Sequence, residues 1–455
     1  MNGTLERIII SGLHGSKQVD VSFDKNCLIL VGENGSGKTT FLRILYLFIS
    51  GRWFALLQFN FSSITAIIDG DEFTVTREML SKGFEQIDRH TLSEFPLSVR
   101  RRLMDWISTH GVNEMPPDLE RWIHRTGMPW EVMVRQLEFF DVNPKGTRKE
   151  LQDMIYKIRS IINAQILYLP TYRRIERELG SILEGVDLDE LRSRRNRTLR
   201  PDDEDTFVEL VEFGMKDVQQ AIDSALSRLK EFARENLNSL TLRYLGDVVN
   251  QEYLSVGLSE ISDLREETIR LVLARIPEGI LTTDHKSQLL KLISDVRTSA
   301  SQNEHSKIIC HYFLKLFHFQ QLLKERESHI SAFCELCSEY IVDKRFVYDS
   351  ANFGFKILPN EEKYKESKIE LSDLSSGEKQ IVSLFSHLYL SGKERYFVMI
   401  DEPELSLSVP WQRRFLVDIH KGDFCSGLVA VTHSPFIYDN ELRPYAHSLG
   451  EFINI

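Results

Sequence analysis

Two separated stretches of the chain carry residue types that could bind and cleave a phosphate anhydride. The first is the run Gly32-Glu33-Asn34-Gly35-Ser36-Gly37-Lys38-Thr39, which follows an apolar stretch from Cys27 to Val31. Its glycines let successive backbone N–H groups point inward around an anion, and the helix that follows adds the positive end of its dipole. The complete pattern between a strand and a helix is a Walker A phosphate-binding loop. The sequence therefore predicts a nucleotide site here.

The loop and the start of its helix supply the predicted nucleotide-binding residues, which are Asn34, Gly35, Ser36, Gly37, Lys38, Thr39 and Thr40. Lys38 would reach the β- and γ-phosphates as a point charge, which makes it a predicted catalytic residue as well. The hydroxyl of Thr39 would complete the coordination of Mg²⁺. ATP and Mg²⁺ are the cofactors that these roles imply.

The second stretch runs from Tyr396 to Glu404, where a short apolar strand is followed by acids. Asp401 is the predicted second metal ligand, and Glu402 is placed to orient and polarise the attacking water. A further apolar run from Leu428 to Val431 leads to His433. Ligands bind at such strand ends in open α/β sheets. We therefore predict Glu402 and His433 as catalytic residues.

Short strands and longer helices must position these groups. Strand patterns occur at Leu5 to Ser11, Val19 to Phe23, Leu28 to Val31, Ile64 to Ile68, Phe73 to Thr76, Ile166 to Leu169, Arg345 to Tyr348 and Phe353 to Ile357. Apolar positions recur at helical spacing from Ser93 to Ile162, and again from Phe207 to Tyr340. We expect the second helical stretch to pair antiparallel as an arm.

The composition is that of a folded protein, with 455 residues, of which 42% are hydrophobic and 27% charged. The net charge of -11 repels nucleic acid, so any DNA contact must come from a local basic patch. Arg192 to Arg200 is such a patch, although acids follow it at once, and a solvated loop is the alternative. Arg173 and Arg174 follow a predicted strand, where phosphate or interface contacts and a surface salt bridge are equal alternatives.

Five scattered cysteines suit a reducing compartment and offer no disulfide framework. Cys334 and Cys337 form the one close pair, and we interpret them as buried helix residues. No apolar run is long enough to cross a bilayer, and the N-terminal stretch lacks the apolar core of a signal peptide. We expect a cytoplasmic protein with no membrane partner.

The segment Leu374-Ser375-Ser376-Gly377-Glu378 resembles the signature motif of ABC-type ATPases, a Ser/Gly turn at a helix N-terminus. In that family the turn closes on the γ-phosphate held by a second subunit. The resemblance therefore implies nucleotide contacts from Ser375, Ser376, Gly377 and Glu378. Leu405 to Ser408 resembles the D-loop, which crosses the dimer seam, and His433 stands where the family keeps its γ-phosphate switch.

The order of these motifs resembles the ABC-type heads of SMC, RecF and OLD-family ATPases over about residues 1–80 and 340–440. The resemblance implies an α/β fold in which two sequence-separated lobes share a mixed sheet with the phosphate loop and are interrupted by helical insertions. It implies a head-to-head homodimer, or a higher oligomer of such dimers. The family's Q-loop glutamine has no clear counterpart, because Gln165 precedes its strand.

The predicted domains are the N-terminal ATPase lobe 1–85, the helical subdomain 86–162, the returning strand and loop 163–180, the helical arm 181–340 and the C-terminal ATPase lobe 341–455. OLD-family chains continue into a Toprim nuclease domain after the switch histidine. This sequence ends at Ile455, so we expect no nuclease within it.

A head with a helical insertion and the segment Tyr168 to Glu176 resembles the ATPase subunit of the PARIS anti-phage systems. That resemblance implies a sensor and scaffold that controls a separate Toprim-type nuclease and responds to a phage-encoded trigger protein. A Septu-type ATPase with an HNH nuclease partner is one alternative. A DNA-repair or chromosome-associated ATPase is another, and an importer ATPase is disfavoured by the size of the helical insertion.

Overall fold

The computed structural model describes residues 3–85, 146–170, 207–209, 215–255, 264, 266–274, 282–298, 304–360 and 368–454. The chain divides into two compact units, of which the first combines residues 1–212 with 393–455 and the second comprises 213–392. The first unit is thus assembled from both ends of the chain.

A five-stranded antiparallel sheet in the first unit contains the predicted N-terminal strands, and its spatial order is β13-β2-β1-β4-β5. The strands are β1 (Leu5–Leu13), β2 (Lys17–Ser22), β4 (Ser63–Ile68), β5 (Asp71–Thr76) and β13 (Ile453–Asn454). Buried and more exposed residues alternate along β4, as expected for a strand with one face on the core.

A six-stranded parallel sheet in the same unit carries the phosphate loop, in the order β12-β3-β11-β10-β6-β7. Its strands are β3 (Cys27–Val31), β6 (Gln165–Leu169), β7 (Phe207–Glu209), β10 (Tyr396–Asp401), β11 (Cys425–Thr432) and β12 (Ala446–Ser448). Both β6 and β10 are buried throughout, because the elements of a parallel sheet are covered on both faces. The predicted α/β class is confirmed, with parallel and antiparallel strands separated into two sheets.

Helices of the first unit, numbered in chain order through the whole molecule, are α1 (Lys38–Ile49), α2 (Arg77–Glu85), α3 (Thr147–Ile162), α9 (Val409–Lys421) and α10 (Pro435–Tyr438). Most of α1 is buried in the main hydrophobic core. The ring of Tyr46 in this helix stacks on Tyr168 in β6, with 4.6 Å between ring centroids. The helix that follows the phosphate loop is therefore anchored by apolar contacts to the sheet.

In its described residues, the second unit contains helices and a β-hairpin. Its elements are α4 (Met215–Val249), α5 (Glu266–Ala274), α6 (Thr283–Thr298), α7 (Glu304–Tyr340), β8 (Lys344–Asp349), β9 (Gly354–Pro359) and α8 (Ser376–Leu390). Arg326 lies over the ring of Phe232, while His311 lies against Tyr244, so the contacts between α4 and α7 run in opposite directions. The predicted antiparallel pairing of the arm is confirmed for these two helices.

Cys334 and Cys337 lie buried in α7, which confirms their interpretation as helix residues. Burial raises the pKa of the Cys334 thiol to about 12, and it raises that of Cys337 well above the ordinary value. Both thiols are therefore protonated at neutral pH. Within the described residues, no group of three or more His, Cys, Asp or Glu side chains is arranged to hold a metal ion.

One short segment differs from the prediction. Phe207–Glu209, predicted as the start of the helical pattern that runs to Tyr340, is a strand that pairs parallel with β6 from Ile166 to Tyr168. A three-residue strand at a sheet edge has too few residues for its periodicity to be recognised, and pairing with β6 decides its structure.

Several predictions fall outside the described residues. They concern the helical subdomain between 86 and 145, Arg173 and Arg174, and the basic patch from Arg192 to Arg200. The predicted domain boundaries also stay predictions. In the described part of the chain, no helix combines the length and apolar character needed to span a membrane.

Candidate functional site

The phosphate loop joins β3 to α1, as the sequence predicts. Gly35 and Gly37 have φ angles of 80° and 93°, in the left-handed region that glycine adopts without steric strain. Gly37 is the N-cap of α1, and Thr39 and Thr40 lie in its first turn. Residues 32–37 are exposed, so the loop surface is open to a ligand at the helix N-terminus.

The side chain of Lys38 is buried within the loop, with 3% of its surface exposed. Its ammonium donates hydrogen bonds to the carbonyl oxygens of Gly32 (2.9 Å) and Glu33 (2.8 Å) and to Ser36 Oγ (3.2 Å). Burial lowers the pKa of Lys38, and the charges of nearby carboxylates oppose this shift. These contacts hold a positive charge inside the cradle, where an anionic phosphate would be bound.

Thr39 and Asp401 meet although they lie far apart in the sequence. Thr39 Oγ1 donates to Asp401 Oδ1 at 3.1 Å, and Asp401 is 1% exposed at the end of β10. One hydroxyl and one carboxylate are the hard oxygen ligands that Mg²⁺ accepts, with phosphate and water oxygens as its other ligands. The donor set therefore fits the metal that the sequence predicts.

Glu402 follows Asp401 and has a left-handed backbone with φ of 50°. For a residue with a Cβ this conformation costs about 1–2 kcal/mol. The Glu402 amide donates to the carbonyl of Val431 at 2.8 Å, which ties the turn to β11. Burial raises the pKa of Glu402, the charges of Asp401 and Glu404 raise it further, and His433 and Lys38 partly oppose the shift. A carboxylate with a raised pKa is a suitable proton acceptor near neutral pH.

The strand order brings these segments to one edge of the parallel sheet. β11 lies between β3 and β10, with Thr432 opposite Val31 and Val431 opposite Asp401. The phosphate loop, the acidic turn and the segment of His433 thus all leave the sheet at neighbouring carboxyl ends. His433 is exposed at this edge, as expected for a side chain that contacts a ligand.

Two further residues connect the acidic turn to the segment of His433. Glu404 accepts hydrogen bonds from Thr432 Oγ1 and from the backbone amide of His433, both at 2.8 Å. Gln412 in α9 accepts a hydrogen bond from Ser434 Oγ at 2.7 Å. Neither residue belongs to a motif that predicts a role for it, although Glu404 lies within the run of acids that follows β10.

The signature segment lies in the second unit and begins α8. Ser375 is the N-cap, and its hydroxyl accepts from the Glu378 amide while Glu378 accepts from the Ser375 amide, which makes a capping box. Lys344 donates to Glu378 at 2.9 Å. Burial acts to raise the pKa of Glu378, but the bonds from Lys344 and Ser375 outweigh it and lower the pKa. The Glu378 carboxylate is therefore engaged within the chain, whereas Ser375 and Ser376 are exposed.

Other predicted site features remain predictions. Leu405 to Ser408 forms the turn after Glu404, with Ser406 at φ of 64°, and its assignment as a D-loop is untested. The nucleotide contacts assigned to Ser375, Ser376, Gly377 and Glu378 are likewise untested.

Comparison with known families gives two matches. Residues 4–97 match a model described as "AAA ATPase domain". Residues 255–439 match a model described as "AAA domain, putative AbiEii toxin, Type IV TA system". The first match includes the phosphate loop, and the second includes the signature segment, the acidic turn and His433.

Among curated proteins, the chain is similar to the DNA replication and repair protein RecF of Rickettsia canadensis (strain McKiel). The identity is 25% over 240 residues, which cover 52% of this chain. The chain thus spans 57% of the length of this relative.

Solved structures with detectable likeness include two Smc head domains. One, from Pyrococcus furiosus, has an extended coiled coil and is bound to the C-terminal domain of ScpA; its TM-score is 0.35 at 14% identity, over 96% of this chain and 92% of that one. The other, from Pyrococcus yayanosii, has a coiled coil and joint; its TM-score is 0.30 at 14% identity, over 96% of this chain and 93% of that one.

The phosphate loop and the acidic turn meet in one site, and each lies within a match to a model of an AAA domain. The phosphate-loop and acidic-turn segments of this chain are thus similar to AAA domains, and part of the chain is similar to a RecF protein.

Proposed function

We propose that this protein binds ATP with Mg²⁺ and hydrolyses it to ADP and phosphate. The observation that carries the proposal is the bond between Thr39 and Asp401, which joins the phosphate loop to the acidic turn beside Lys38 and Glu402. A buried lysine, Lys38, and a buried carboxylate, Asp401, on the two sides of a glycine-rich turn favour a turn that binds a ligand over one that does not.

Each residue has a defined task in this reaction. The loop amides and Lys38 bind and orient the phosphates, while Thr39 and Asp401 would hold Mg²⁺. When bound, the metal supplies charge stabilisation for the phosphoryl oxygens. Glu402 accepts a proton from the attacking water, and His433 at the neighbouring strand end contacts the γ-phosphate side. The raised pKa of Glu402 is consistent with its role as the base.

The test is ATP turnover by Lys38→Ala, because the Lys38 ammonium is the charge held inside the phosphate cradle. We expect a loss of about a hundredfold or more. Lys17→Ala, which removes an exposed lysine from β2, is the matched control and should keep wild-type turnover. Full activity of Lys38→Ala would refute the assignment of the loop.

We further propose that two chains share each nucleotide, in a head-to-head homodimer or an oligomer of such dimers. The proposal rests on the resemblance of residues 374–378 to the ABC signature. It is supported by the exposed Ser375 and Ser376 at the N-terminus of α8, where an anion is stabilised by amides and the helix dipole.

For the biological role we propose a sensor and scaffold subunit of an anti-phage defence complex, which controls a separate Toprim-type nuclease and responds to a phage protein. The resemblance of the head and of the segment 168–176 to PARIS ATPases supports this role. The match of residues 255–439 to a model that names a toxin of a toxin–antitoxin system is compatible with it. A Septu-type system, in which the partner is an HNH nuclease, is the alternative defence role.

A role in DNA replication or repair is the second candidate, and similarity to RecF favours it. In this role DNA would be bound through a local basic patch, because the net charge of -11 opposes binding elsewhere. Co-purification with a nuclease encoded beside the gene would favour the defence role. Strong stimulation of hydrolysis by duplex DNA, lost steeply as salt is raised, would favour the repair role.

A further inference from the structure

The turn that follows Glu402 is bonded directly to the segment that carries His433. Both carboxylate oxygens of Glu404 accept: Oε2 from Thr432 Oγ1 and Oε1 from the His433 amide, each at 2.8 Å. Bonds to an ionised carboxylate are about twice as strong as those between neutral groups. Glu404 therefore fixes the backbone of His433 at a set position beside the acidic turn.

Gln412 makes a second connection between the same two segments. Its Nε2 donates to the carbonyls of Leu407 (2.9 Å) and Glu404 (3.4 Å), and its Oε1 accepts from Ser434 Oγ. The Ser434 amide in turn donates to Thr432 Oγ1 at 3.0 Å. Glu404 and Gln412 thus connect the acidic turn and α9 to residues 432–434 through separate hydrogen bonds.

We propose that Glu404 and Gln412 are positioning residues, which hold the segment of His433 and the turn of Glu402 together as one unit and join both to residues 405–408. The inference rests on the proposed ATPase function, which it deepens. In consequence, a movement of residues 405–408 is transmitted to His433 through these hydrogen bonds, and not only along the covalent backbone.

The test compares Glu404→Ala, Glu404→Gln and Gln412→Leu with wild-type protein in ATP turnover. We expect Glu404→Ala to lower kcat by about 10- to 100-fold, with little change in KM, because Lys38 and the phosphate loop remain intact. Glu404→Gln should lose less activity than Glu404→Ala, because its amide oxygen can still accept a hydrogen bond. Gln412→Leu should also lower kcat with little change in KM. Glu441→Gln removes an exposed carboxylate paired with Lys421, and it should behave as wild type.

Hydrogen exchange of peptides covering residues 425–438 gives a readout that does not depend on activity. We expect faster exchange in Glu404→Ala and in Thr432→Val, and protection restored in Thr432→Ser, which keeps the hydroxyl. The inference would be overturned if Glu404→Ala had wild-type kcat and unchanged exchange although Lys38→Ala is inactive. In that case the proposed ATPase function would still stand. If wild-type protein hydrolyses no ATP but exchange accelerates as expected, the proposed function fails and the connection itself stands.

Discussion

Burial of Glu402, together with nearby charges of both signs, determines the pH range in which it can accept a proton. Its pKa is raised above the ordinary value for glutamate, about 4.3, by burial and by Asp401 and Glu404. Below the raised pKa the carboxyl group is protonated and cannot act as a base.

We therefore expect kcat/KM for ATP to fall on the acid side, with an inflection above the ordinary glutamate pKa, and to level off as pH rises. Stopped assays of phosphate release across the pH range would measure it. A profile without an acid limb, at pH values where the protein stays folded, would exclude Glu402 as the base.

For single residues, the sequence predicts the functional side chains that lie within short motifs. Thr39 and Asp401, the two predicted metal ligands, are hydrogen-bonded to each other, and their metal-binding role stays a prediction. Glu404 and Gln412 were not predicted as functional residues, because their partners Thr432 and Ser434 lie 28 and 22 positions away. Hydrogen bonds between such distant residues depend on strand order, which no local pattern encodes.

Among the elements, helix α8 has an N-terminus whose stability depends on a capping box. The Ser375 hydroxyl accepts from the Glu378 amide, and the Glu378 carboxylate accepts from the Ser375 amide. Loss of an N-cap side chain destabilises a helix by about 1 kcal/mol. The signature turn is thus ordered by its own side chains.

We expect Ser375→Ala to accelerate amide exchange in the first turns of α8 by about fivefold, which corresponds to about 1 kcal/mol. Ser376→Ala is the matched control, since Ser376 is also exposed and is not the N-cap. Equal exchange in the two variants would show that the capping box does not stabilise the helix.

Apolar runs predict the strands of this fold well, because a buried parallel strand needs continuous apolar residues. β3, β6, β10 and β11 all lie where such runs occur. The short strands β7, β12 and β13 were not predicted. They contain two or three residues each, and pairing with a neighbouring strand rather than local periodicity determines them.

In the whole molecule, the phosphate loop and the acidic turn belong to one compact unit and the signature helix to the other. Sequence patterns grouped the signature with the strands that follow it. In the structure, α8 packs with α4 and α7 of the arm, since tertiary contacts decide which helices form a unit. Such contacts between distant segments are absent from local sequence patterns.

The proposed shared site predicts complementation between two inactive variants. Lys38→Ala removes the phosphate-binding charge, and Ser375→Arg blocks the signature turn, so each alone should be inactive. A mixed dimer would contain one site with both residues intact. We expect turnover to reappear when the two proteins are mixed under conditions of subunit exchange. Full turnover by a wild-type monomer, identified by light scattering, would contradict the shared site.

The proposed hydrolysis of ATP with Glu402 as the base is tested by measuring ATP binding and phosphate release together for Glu402→Gln, whose amide fills the same space but accepts no proton. We predict ATP binding as in wild type and hydrolysis slower by about 10²- to 10⁴-fold. Wild-type hydrolysis by this variant, or loss of ATP binding, would contradict the account.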